Sequence, residues 1–143
     1  MHWYLIALGV GVCVALQPTV NAALRREVGV APVLILGTAL VLVASIVVGL
    51  AWPEPARWDR VLKVRPDLWS GAIFGTCIIV GGMMAVPKLG AGPALGLILL
   101  GQLTFGLLID HFGWYGVPQS PVTWTKGLGV AVIFGGFLLV NKG

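Results

Sequence analysis

Charge is what this chain has least of. Only 10% of its 143 residues are Asp, Glu, Lys or Arg, against about 25% in soluble domains. Hydrophobic residues make up 58%. A soluble fold of this length keeps too much surface in water to hide so many apolar side chains, so the composition excludes an ordinary soluble domain and points to an integral membrane protein. There are two cysteines, Cys13 and Cys77; both lie inside apolar runs and neither has a CxxC partner. That excludes zinc-ligand spacing and argues against a structural disulfide, leaving each as a small hydrophobe. There are two histidines, His2 and His111, and neither Ser45 nor Ser70 has a His and an acid nearby in the sequence. No glycine loop is followed by Lys-Ser or Lys-Thr. The chain is read as no enzyme, with no metal and no cofactor. The net charge of +4 is divided among short basic clusters between apolar runs. That pattern fits lipid-headgroup contact and topology control, not nucleic-acid binding.

What is present is a set of long apolar runs. A membrane span needs about 20 residues at about 1.5 Å each. Five segments meet or approach this, at about 3–24, 31–52, 68–86, 92–109 and 122–140. The expectation is an all-α, five-span protein, with residues 1–143 forming a single transmembrane domain. The first run has no basic segment before it and is long enough to span, so it reads as a retained helix rather than a signal peptide. Pro87 and Lys88 are expected to stop the third span, and KLGAG to join the third and fourth as a tight hairpin. The prolines and charges of residues 52–68 keep that loop out of the membrane core.

Alternating the spans puts Arg57, Arg60, Lys63, Arg65 and Lys126 on the side of the N-terminus, and Arg25, Arg26, Lys88 and Lys142 on the other. Orientation normally follows an excess of Lys and Arg on the cytoplasmic side. Five against four selects neither orientation, which is read as insertion both ways. Trp3, Tyr4, Trp52, Trp58, Trp69, Trp114, Tyr115 and Trp124 all fall on the N-terminal side. Interfacial aromatics usually mark both membrane faces. The skew follows either from the longer loops on that side or from two copies packed antiparallel; with the charge balance, the antiparallel homodimer is the favoured reading. Gly71-x-x-x-Gly75 and Gly92-x-x-x-Gly96 supply close-packing faces that serve either a dimer or a single protomer.

The polar residues inside the spans are few. In ALQPTVNAALRR, residues 15–26, Gln17 and Asn21 are four apart and share a helix face. Pro18 between them leaves the carbonyl of Val14 without its helical donor and favours a bend. Such groups face protein or a water-filled cavity, because hydrocarbon offers them no partner. They therefore line a solute cavity or bond to neighbouring helices, and span one alone favours the bonding reading. Gln102 in span four, about two turns before Asp110, makes the cavity reading credible. Asp110 and His111 end that span as a gate or proton-sensitive pair, or as a structural cap. No ionisable residue lies near the middle of any span, so no proton relay on a central carboxylate is readable.

GVCVALQPTVNAALRREVG, with LGAGPALGLILLGQLTFGLLIDHFGWYG and KGLGVAVIFGGFLLV, resembles the YdcZ-like family of small bacterial inner-membrane proteins within the drug/metabolite transporter superfamily, over nearly the whole chain. The resemblance implies half of a ten-helix transporter, antiparallel pairing and export of a small molecule. The matching positions are Gln17, Pro18, Asn21 and Arg25 in span one, then Gln102, Asp110, His111 and Gly113. The resulting expectation is a multi-pass inner-membrane transporter working by alternating access as a dual-topology homodimer. Its partners are a second, antiparallel copy, membrane lipids and an unidentified small substrate, with no nucleic acid. Gln17, Asn21 and Gln102 line the cavity, Pro18 is a hinge, and Asp110 and His111 stand at its mouth. A heterodimeric transporter subunit and a non-transporting assembly or regulatory protein stay open as alternatives.

Overall fold

The computed structural model describes residues 2–142. Five α-helices are long and apolar enough to cross a membrane: α1 (His2–Val28), α2 (Val30–Ala51), α3 (Gly71–Leu89), α4 (Ala91–Phe112) and α5 (Trp124–Lys142). There is no strand among the described residues. Short 3-10 turns at Trp58–Lys63 and Pro66–Ser70 fill the loop before α3, and another at Trp114–Gly116 follows α4. The chain forms two compact units, residues 1–84 and 85–143, with the boundary inside α3.

Two of the connections are single residues. Gly29 separates α1 from α2 at φ 82°, ψ 178°, and Gly90 separates α3 from α4 at φ 85°, ψ 157°. This backbone region is essentially reserved for glycine, so each reversal depends on the missing Cβ. Both amides still close the preceding helix, Gly29 N–H onto the carbonyl of Arg25 and Gly90 N–H onto that of Val86, each at 2.9 Å. The link between α3 and α4 is therefore shorter than the expected KLGAG, and Pro87 does not end α3 but sits in its last turn. Proline is tolerated there when another group takes up the carbonyl it releases.

In the first unit, α1 packs on α2 next to the Gly29 link, and Ala22 and Val33 are buried. In the second, α4 and α5 form a hairpin. The face carrying Gly92 and Gly96 is occupied by this hairpin: a Cβ at Gly96 would lie 3.0 Å from a ring carbon of Phe137, and one at Gly92 3.7 Å from Val140. Gly71 and Gly75 meet nothing within 4 Å. Of the two glycine pairs, one closes the protomer and the other faces open space. Few hydrophobic side chains are buried, and most of the long apolar ones lie outside, as expected for helices whose solvent is lipid.

Candidate functional site

α1 carries two adjoining stripes. Pro18 and Ala22 are buried, Arg25 is half-buried, and these three hold the side nearest α3. Pro18 packs against α3 so closely that a Cβ on Gly82 would sit 2.6 Å from the Pro18 Cβ. Gln17 is exposed and Asn21 half-buried along the edge of that contact. Helix α1 runs unbroken through Pro18. Beside it the Thr19 hydroxyl donates to the Ala15 carbonyl at 3.0 Å, the back-bond to position i−4 that Thr76 and Thr104 also make, and not to the Val14 carbonyl that Pro18 frees.

Seven residues beyond Pro18, α1 reaches α3 a second time. The Arg25 guanidinium donates through Nη1 to the Met83 carbonyl at 3.3 Å, and Met83 is fully buried. Met83 is four residues before Pro87, so its carbonyl is the one that lacks a helical donor. A side chain of α1 thus fills the gap that proline opens in α3. Gly82, Met83 and Pro87 were not among the expected site residues. The signal was available in the i−4 arithmetic of Pro87, the same arithmetic that marked Val14 for Pro18.

α4 places the other expected residues. Gln102 is exposed; Thr104 beside it bonds back to the Leu100 carbonyl at 2.8 Å. At its end, α4 stops on Gly113 in the left-handed conformation, whose amide donates to the Ile109 carbonyl, an ordinary glycine cap. The following loop folds back onto this end. Ser120 N–H donates to the Asp110 carbonyl at 2.8 Å, and the Gln119 side-chain amide donates to the His111 carbonyl at 2.9 Å. The Val122 N–H donates to His111 Nδ1 at 3.1 Å. An imidazole that accepts at Nδ1 carries its proton on Nε2. Lys126 fastens the loop further, donating to the carbonyls of Ser120 (3.2 Å) and Pro121 (3.1 Å) and to the Ser120 hydroxyl (2.8 Å). His111 and the Asp110 backbone therefore clasp the loop between α4 and α5.

The family model described as "Putative inner membrane exporter, YdcZ" matches residues 2–139. The chain belongs to that family. The match runs from the start of α1 into α5, so it takes in both units, the α1–α3 contacts and the His111 clasp. The YdcZ family is one of membrane exporters, not of enzymes, and with five apolar helices this chain is a multi-pass inner-membrane protein. No curated protein and no solved structure compared with it matches.

Proposed function

We propose that the chain is one half of a small-solute exporter that works by alternating access as an antiparallel, dual-topology homodimer. The observation that carries this reading is the balance of basic residues across an odd number of spans. Five Lys and Arg lie on the N-terminal side and four on the other. Such a chain has no strong orienting bias, and two copies of opposite orientation supply the inverted repeats that transporters build around a central site. The small buried core and the open Gly71/Gly75 face support a need for further helices to pack against. In this reading Gln17, Asn21 and Gln102 present neutral amides to the solute, Pro18 lets α1 bend against Gly82, and Asp110 and His111 stand at the mouth.

The test is topology. Cys13 and Cys77 are both exposed free thiols and must first be removed. Single cysteines are then placed in the 52–68 loop and at the C-terminus, and intact cells are labelled with a membrane-impermeant maleimide. Comparable labelling of both sites supports two orientations. Labelling of one site alone overturns the homodimer and directs the search to a partner subunit of opposite orientation.

A further inference from the structure

The loop between α2 and α3 carries chemistry that the transport reading does not use. Its first 3-10 turn covers Trp58–Lys63, opened by the Arg60 N–H donating to the Arg57 carbonyl at 3.1 Å. In a 3-10 turn, side chains three apart eclipse one another. Residues 57, 60 and 63 are Arg, Arg and Lys; residues 58, 61 and 64 are Trp, Val and Val. Within the turn Arg60 eclipses Lys63 and Trp58 eclipses Val61, a basic column beside an apolar one, flanked by Arg57 and Val64, whose backbones are not helical. Arg65 is set apart from the basic column by its two-pronged pairing with Asp67, at 3.0 and 2.8 Å. Arg57 and Arg60 have no carboxylate partner among the described residues.

Both columns border an open recess of about 490 Å³ lined by Arg57, Arg60, Val61, Val64, Leu68 and Trp69. Two of its six walls are guanidinium-bearing and four are apolar. The loop leaves one membrane span and enters the next. Trp58 is 80% exposed and Leu62 98% exposed, so this segment presents apolar groups where headgroups meet acyl chains.

We infer that this recess binds an anionic phospholipid, with the phosphate on Arg57 and Arg60 and the upper acyl chain along Val61, Val64, Leu68 and Trp69. Guanidinium forks match phosphate oxygens with paired donors. A soluble phosphate would use the arginines but leave the apolar walls wet, whereas a lipid covers both. A zwitterionic lipid brings its own cation beside the phosphate and gains less from two arginines.

The experiment uses the purified full-length chain in neutral detergent. Retention of dioleoylphosphatidylglycerol and dioleoylphosphatidylcholine is read by native mass spectrometry, and protection against heat is read in parallel with soluble glycerol phosphate. Phosphatidylglycerol is expected to be retained over phosphatidylcholine, and this preference to fall roughly tenfold in Arg57→Gln/Arg60→Gln. Lys88→Gln/Lys142→Gln, an equal loss of two charges at the ends of α3 and α5, is expected to keep it. Val64→Gln, which leaves both arginines in place, is expected to weaken retention of the whole lipid. An absent preference, or one that Lys88→Gln/Lys142→Gln reduces as much as the arginine double variant does, overturns the site. Equal protection by glycerol phosphate overturns the lipid assignment, because it would show the apolar walls unused.

Discussion

The Arg25 guanidinium lies 3.3 Å from the carbonyl of Met83, the one acceptor in α3 that Pro87 deprives of its helical donor. Arg25 thereby does in trans what the amide of an ordinary residue at position 87 would do in cis. This relationship predicts a non-additive mutant pair. Arg25→Leu removes a charge-assisted donor and is expected to destabilise the protein by about 1–2 kcal/mol. With Pro87→Ala also present, the residue 87 amide satisfies Met83, and the cost of Arg25→Leu should fall to a few tenths. Unfolding of the four proteins in detergent measures the coupling. Equal costs in both backgrounds would mean that the Arg25 contact is incidental.

Adjacent glycines in α3 should respond oppositely to the same substitution. A Cβ on Gly82 meets Pro18 at 2.6 Å, while one on Gly81 meets nothing within 4 Å. Neither contact atom is the end of a flexible side chain, so Gly82→Ala must push α1 and α3 apart, at about 1–3 kcal/mol. Gly81→Ala should be neutral or slightly stabilising, since alanine is the better helix former. Thermal unfolding of the two variants decides this. The same comparison bears on transport: if Pro18 moves against Gly82 during the cycle, Gly82→Ala should slow flux even where folding is rescued by lower temperature.

The five helices were legible because composition and run length depend on local sequence alone. Their ends were less so. Pro87 reads as a stop when only its own helix is considered; α3 continues past it because Arg25, 62 positions earlier, supplies the missing donor. The single-glycine links were hidden for a related reason. GAG in the third connection contains glycines at 90 and 92, and sequence alone does not say which one takes the positive φ. Gln17, Asn21 and Gln102 were legible as polar groups in an apolar setting. Their surroundings were not, because what faces an amide on an exposed helix surface is decided by whatever packs there. Asp110 and His111 drew notice as titratable side chains, yet much of what they contribute to the loop clasp is backbone carbonyl, which no residue type announces.

His111 should act on the loop through its acceptor. Asn places a side-chain acceptor near the position of Nδ1, whereas Leu has none. Hydrogen exchange at the Val122 amide is therefore expected to rise about fivefold in His111→Leu, corresponding to the loss of one ordinary hydrogen bond of about 1 kcal/mol. In His111→Asn it should stay near the parent rate. Exchange unchanged in both variants would remove His111 from the clasp and return attention to its exposed edge.

The near balance of basic residues should make orientation adjustable from a single loop. Glu54 and Asp59 both lie in the 52–70 connection and carry no ion pair among the described residues. Glu54→Lys with Asp59→Lys raises the basic count on that side from five to seven against four. Acidic residues contribute little to orientation while added lysines contribute strongly, so the double variant is expected to insert mainly one way, with its N-terminal side in the cytoplasm. Cysteine labelling at the C-terminus should then approach completeness in intact cells, and labelling in the 52–68 loop should fade. If the working unit is antiparallel, this variant loses function when expressed alone. It should regain function beside a second variant locked the other way by lysines added at the C-terminus. Full activity of the locked chain by itself would show that a parallel assembly or a single copy suffices.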